Sequence, residues 1–182
     1  MIHKKMVQAL NEQINKEMYS AYLYMSMSAY SNKVGLKGFA NWFMVQYHEE
    51  MFHAMKLYEY LQRQGEEIKL EAIKAPPVEF TSQLDLFTQT LAHEQYITSS
   101  LNELMDLAIS KKDHATKIFL EWYITEQVEE EENDNDIILE LKLIGDDPHA
   151  LLMLDRELAA RATTVPTDFS KGVEAAAKAA AA

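Results

Sequence analysis

The chain is predicted to be all-α, a four-helix bundle with one long crossover between helices two and three and a short C-terminal fifth helix. Three observations predict this. Among 182 residues there are only 5 Gly and 4 Pro, about 5% turn formers where an average protein has about 12%. That is too few for the many turns of a sandwich or barrel. Four long stretches each end at a recognisable stop, and one of the connections between them is far longer than the others.

The first stretch, about residues 4–33, holds no Gly or Pro and stops before Val34-Gly35. The second, about 37–64, ends at Gly65, a residue that tolerates the left-handed conformation of a helix C-terminus. The third begins after Thr81 or Ser82, either of which can cap the free amides of a first turn. Asp113 offers the same cap to the fourth, which runs to about Ile144 and stops at Gly145. Asp147-Pro148 supplies an N-cap and a proline at the first helical position for a fifth helix through about Arg161.

The connections set the topology. Helices one and two, and again three and four, are joined by a few residues, so each pair forms antiparallel neighbours. Between helices two and three lie about 17 residues including Pro76-Pro77. Extended, they reach roughly 56 Å, against about 42 Å for a 28-residue helix, enough to return along the whole bundle. Residues 1–163 form the bundle domain. The segment 164–182, ending KGVEAAAKAAAA, is a low-complexity, Ala-rich tail like the semi-rigid spacers of engineered fusions.

With 48% hydrophobic and 25% charged residues, the composition is that of a globular chain. The absence of Cys excludes disulfides, Cys-zinc sites, thiol catalysis and Cys-ligated iron. Seventeen Lys+Arg against 29 Asp+Glu give a formal charge of −12, which repels phosphate backbones, so no nucleic acid is expected as a partner. No apolar run approaches the ~18 residues of a membrane span, and MIHKKMVQALNEQ places polar residues where a secretory signal would need a long apolar core. A cytoplasmic location with no membrane partner is expected.

Chemistry enters when each helix is read at alternating three- and four-residue spacing, the seam that faces a bundle core. Helix one reads Leu10, Ile14, Glu17, Ala21, Tyr24, Ser28; helix two reads Phe43, Gln46, Glu50, His53, Leu57, Tyr60. Helix three reads Leu84, Phe87, Leu91, Glu94, Thr98, Leu101, Met105; helix four reads Leu120, Tyr123, Gln127, Glu130, Asp134, Ile137, Leu141. Every seam is interrupted near its middle. A lone buried Glu or His is usually a local exception, but four carboxylates in one low-dielectric volume repel and resist ionisation. Bound cations remove that difficulty. Glu17, Glu50, His53, Glu94 and Glu130, with Gln127 alongside, suit a pair of Fe(II) or Mn(II) ions.

Two further features have alternative readings. The run Glu126 to Asp136 carries seven acids and no base; it is either a solvated helix face or, through Glu126, Glu129 and Glu130 with Glu49, a place for another cation. Tyr24, two turns from Glu17, is either a core tyrosine bonded to a carboxylate or a redox or orienting partner.

Glu17, the Glu49-Glu50-Met51-Phe52-His53 segment, Glu94 and the Glu126-Gln127-Val128-Glu129-Glu130 segment together resemble prokaryotic non-haem ferritin, within the ferritin-like di-iron carboxylate family. The resemblance covers about residues 1–161. It implies one iron held by Glu17, Glu50 and His53 and a second by Glu50, Glu94 and Glu130, with Glu50 as bridge, His53 as nitrogen ligand and Gln127 hydrogen-bonding in the site. It further implies a third iron site at Glu49, Glu126, Glu129 and Glu130, and a catalytic centre of Glu17, Glu50, His53 and Tyr24, with Trp122 as a second nearby aromatic. Ferroxidase chemistry with Fe²⁺ and O₂ or H₂O₂, iron storage as ferric oxyhydroxide, and a hollow 24-mer with the fifth helix at its four-fold axes are its functional consequences.

Neighbouring families fit less well. Bacterioferritin has Glu-x-x-His on its fourth helix where this chain has Gln127-x-x-Glu130. Met51 occupies the place of its haem-ligating Met, but haem is not an expected cofactor. Rubrerythrin-like peroxidases add a Cys-rich iron domain, and DNA-protecting mini-ferritins bind iron between subunits.

Overall fold

The computed structural model describes residues 2–173; residues 174–182 of the Ala-rich tail lie outside the described residues. The helices are α1 (Lys4–Lys33), α2 (Lys37–Arg63), α3 (Gln83–Ser110), α4 (His114–Ile144) and α5 (Pro148–Leu158), with no strand among the described residues. The expected stops are where the chain turns. Gly65 and Gly145 take φ of +75° and +56°, a conformation that costs a residue with a Cβ. Of the two candidate caps for α3, Ser82 is the one used: its Oγ accepts the Asp85 amide at 3.0 Å. Asp113 and Asp147 accept the amides of Thr116 and His149 at 3.1 and 2.9 Å.

The start of α2 has no such cap within its own segment, because Leu36 carries no acceptor. Asp155 of α5 supplies it, accepting the Gly38 and Phe39 amides at 2.7 and 3.1 Å. The approach is so close that a Cβ on Gly38 would lie 1.5 Å from the Asp155 carbonyl oxygen. Gly38 is therefore required by packing and not by its dihedral angles. Helix α5 stops at Leu158, earlier than the expected Arg161, and the freed residues turn back onto α2, where Asn41 donates to the Leu158 and Arg161 carbonyls.

Helices α1 and α2 pack along each other, as do α3 and α4, with α1 also against α3 and α5 against α2 and α4. The crossover is tied to α1 at two heights. Asn11 holds the Glu67 carbonyl and the Lys69 amide, and Ser26 donates to the Pro77 carbonyl at 2.6 Å. It therefore travels beside α1 toward the start of α3. No described helix is long and apolar enough to cross a membrane.

The apolar core is divided in two. One cluster gathers Tyr24, Phe39, Trp42, Phe43, Phe87 and Leu141 among others; the second gathers Met6, Leu10, Ile14, Leu57, Leu101 and Tyr123 with their neighbours. Between them lies a belt of buried polar side chains drawn from all four long helices: Glu17, Gln46, Glu50, His53, Glu94, Gln127, Glu130 and Asp134. The seams of α1 and α4 are buried throughout. In α3 the buried face is rotated: Thr90, Ile97 and Leu104 are inside, while Leu84, Leu91, Thr98 and Met105 are half-buried. Helix α3 turns that extra row toward α1, where Thr90 meets Met27 and Ser100 meets Gln13.

Within the segment 164–173, Val173 is buried and its amide donates to Glu59 of α2.

Candidate metal centre

Helical spacing places Glu50 and His53 on one face of α2, and the α1–α2 pairing brings Glu17 opposite them. One donor atom from each of Glu17, Glu50 and His53 lies within 4.8 Å of the other two, and Glu50 Oε2 is 3.5 Å from His53 Nδ1. All three are almost wholly buried. Glu17 Oε2, Glu50 Oε2 and His53 Nε2 have no hydrogen-bond partner within the protein. Buried oxygens and nitrogens are rarely left so, and three residues that each carry one and bring their donor atoms this close together describe a ligand set. Carboxylate and imidazole donors suit Fe(II), Mn(II) and Zn(II).

The other oxygens are held. Gln13 donates to Glu17 Oε1 at 2.9 Å, and Gln13 in turn accepts from Ser100, which accepts from Lys16. Gln127 donates to Glu94 Oε2 at 3.0 Å, and the Tyr24 hydroxyl donates to Glu94 Oε1. Gln46 donates to Glu130 Oε2 at 2.9 Å. Three glutamines thus each orient one carboxylate, the arrangement by which outer partners aim metal ligands. The structure gathers Glu130 with His53 and Glu126 in a second group whose donor atoms lie within 4.8 Å of one another. Glu94 faces the belt with both oxygens already bonded, so its joining Glu50 and Glu130 requires those bonds to be shared with the metal.

Burial dominates the electrostatics. It pushes the Glu17 carboxyl up to about 7. Glu50 and Glu130 are raised well above the usual carboxylate range by burial, with the Glu94 charge next in importance. Glu94 is raised by burial against the bonds from Tyr24 and Gln127. His53 is drawn down to about 3 by burial and by the Lys56 charge, so its imidazole is neutral at pH 7 and free to ligate. A divalent cation would reverse the penalty on every one of the carboxylates.

The outer acids are spread across a gradient of exposure. Glu49 is buried, Glu126 half-buried and Glu129 exposed, so the acidic run is partly a solvated face and partly the wall of the belt. Glu49 Oε2 is taken by Arg161 at 2.7 Å. Trp122 packs edge-on against His53, with ring centroids 5.4 Å apart, and Lys56 sits 3.4 Å over its ring. Met51 is half-buried and belongs to neither core cluster.

Four residues of the site are not in the sequence-derived ligand set. Gln13 lies on α1 one turn before Glu17, a spacing that could have suggested it. Gln46 and Asp134 were seam residues without an assigned role; Asp134 is only 1% exposed and its Oδ2 is partnerless. Arg161 carries no periodic signal, because it lies beyond the end of α5.

Comparison with known proteins decides the family. Residues 7–144 match the family model described as a ferritin-like domain. The chain belongs to the ferritin-like family. Bacterial non-heme ferritins from Staphylococcus epidermidis and Staphylococcus aureus are 45% and 42% identical over 161 residues, which is 88% of this chain and 97% of each relative. An open-pore ferritin from the hyperthermophilic archaeon Archaeoglobus fulgidus superposes with a TM-score of 0.88 at 49% identity, covering 89% of this chain and all of that one. A closed form of the same archaeal ferritin, made by site-directed mutagenesis, matches equally at 0.88 over 90% of this chain and 99% of that one. Prokaryotic non-haem ferritins are thus relatives of this chain along nearly all of its helical bundle.

Proposed function

We propose that this ferritin is an iron-storage ferroxidase acting on Fe(II) as substrate. The observation that carries the reading is the gathering of Glu17, Glu50 and His53, one donor atom of each within 4.8 Å of the others, in a buried volume where Glu17 Oε2, Glu50 Oε2 and His53 Nε2 find no hydrogen-bond donor or acceptor in the protein. Membership of the ferritin-like family and the non-haem ferritin relatives support it.

In this reading Glu17, Glu50 and His53 bind one Fe(II), and Glu50, Glu94 and Glu130 a second, with Glu50 shared. Each ion gives up one electron, and O₂ takes both together with two protons to become H₂O₂; with H₂O₂ as oxidant the two electrons and two protons yield water. Gln13, Gln127 and Gln46 keep the carboxylates aimed, and Tyr24 orients Glu94 through its hydroxyl. Neutral His53 binds without first losing a proton. Fe(III) then leaves the belt and hydrolyses to ferric oxyhydroxide inside a 24-subunit shell. Glu49, Glu126, Glu129 and Glu130 form a third iron position beside the pair. A cytoplasmic location belongs to the same reading, and haem does not.

Stopped-flow oxidation of two Fe(II) per chain in air tests it. The parent protein shows a fast oxidation phase, and Glu50→Ala falls to the rate of protein-free buffer. A Glu50→Ala protein that oxidises as fast as its parent overturns the assignment.

A further inference from the structure

Arg161 leaves the end of α5 and places its guanidinium at the edge of the polar belt. Its Nη2 donates to Glu49 Oε2 at 2.7 Å and to Gln46 Oε1 at 2.6 Å. The guanidinium stacks over Trp42 at 4.6 Å from the ring centre, and its backbone carbonyl is pinned by Asn41 at 2.8 Å. Gln46, the residue it grips, is the one that orients Glu130. A fixed positive charge therefore stands where Glu49 and Glu130 would otherwise offer negative charge to a cation.

Two buried atoms in this neighbourhood have no partner. One is Arg161 Nη1 and the other is Asp134 Oδ2. Asp134 lies one turn beyond Glu130 on α4, faces inward, and feels the Arg161 charge as a favourable influence. A partnerless buried donor and a partnerless buried acceptor within the same electrostatic neighbourhood are each costly. Both costs would be relieved by moving the guanidinium from Glu49 to Asp134.

We propose that Arg161 is a built-in competitor for the third cation position: a metal takes Glu49 only by displacing the guanidinium, and Asp134 is the second seat to which it moves. The inference rests on the third-site reading above and adds a regulator to it. Like charge excludes the metal while Arg161 sits on Glu49, because cation and guanidinium need the same Oε2. In the displaced arrangement Asp134 gives up its proton to solvent and pairs with Arg161, and Glu49 is free. Filling of the outer position thereby becomes coupled to the contact between the post-α5 segment and α2.

Calorimetric titration of the metal-free full-length protein with Zn²⁺, which carries no redox chemistry, tests this. Two tight equivalents report the inner pair and a weaker one reports the outer position. Arg161→Gln is expected to tighten the weaker equivalent by about tenfold, the scale on which outer partners tune metal affinity, and Asp134→Asn to weaken it. Arg161→Lys keeps the charge and stays close to the parent, which separates competition from loss of packing on Trp42. Glu49→Gln abolishes the weaker equivalent. An Arg161→Gln protein whose weaker equivalent is unchanged or looser overturns the competitor role, and an Asp134→Asn protein identical to its parent overturns the second seat. Absence of the two tight equivalents in the parent protein would instead sink the inner metal pair, a separate and distinguishable failure.

Discussion

Replacing Asp134 by Asn should flatten the pH dependence of stability in the metal-free protein. Burial pushes this carboxyl from 3.8 up to about 9, against the favourable charge of Arg161. Its folded value is raised, so its contribution to stability is fully present below 3.8 and is lost as pH rises toward about 9. Between those limits the folded chain holds one proton more than the unfolded chain, and stability falls by about 1.4 kcal/mol per pH unit from this group alone. Glu50 and Glu130 act with the same sign. His53, lowered from 6.5 to about 3, acts with the opposite sign but only below 6.5, and Glu17, raised to about 7, is half-titrated there and adds the same slope to both proteins. From pH 7 to 8.5, below the folded value of Asp134, the difference between parent and Asp134→Asn isolates this one group. Urea unfolding with chelator present, at fixed protein concentration, should give Asp134→Asn a slope shallower than its parent by about 1.4 kcal/mol per pH unit. Parallel slopes for the two proteins would refute the claim that Asp134 is folded in its protonated form.

Three other outcomes follow from the same geometry. Binding Zn²⁺ at pH 7 should release protons, because burial raises the Glu17 carboxyl to about 7 and lifts Glu50 and Glu130 well above the usual carboxylate range; titrations in buffers of different ionisation enthalpy would show it, and buffer-independent heats would contradict it. Gln13→Ala should raise the Fe(II) concentration for half-maximal oxidation by about tenfold, with less change in maximal rate, because Glu17 loses the bond that aims it; unchanged concentration dependence would remove Gln13 from the site. Asp155→Ala should cost about 1 kcal/mol, the worth of a helix cap, and lower Tm by about 2–4 °C, while Gly38→Ala should be far more damaging because its methyl meets the Asp155 carbonyl.

Much of this molecule is legible in its sequence for physical reasons that differ by element. Helix ends were readable because Gly65, Gly145, Asp113 and Asp147 act locally, within one turn of their own positions. The crossover was readable from reach alone. The seam candidates Glu17, Glu50, His53 and Glu130 were readable because a charged residue on an otherwise apolar seam stands out, and the fold buries each of them, whereas the off-seam Glu126 and Glu129 are half-buried and exposed. Helix α3 was read less well: its inward face is set by contact with α1 as well as α4, which a single heptad row does not express. Arg161, the cap from Asp155 and the need for Gly38 are long-range facts, joining residues more than a hundred positions apart, and no local pattern carries them. Gln46 had no assigned role because an amide on a seam acquires meaning only from the carboxylate it faces, and Gln13 lies off the α1 seam, hinted at only by its one-turn spacing from Glu17.

The central claim, storage of oxidised iron, is tested most directly by loading the protein with Fe(II) in air and following protein and iron together through gel filtration. Iron and protein should leave the column in one very large species carrying many iron atoms per chain. Iron-free protein, or a small species with no more than a pair of metals per chain, would contradict it.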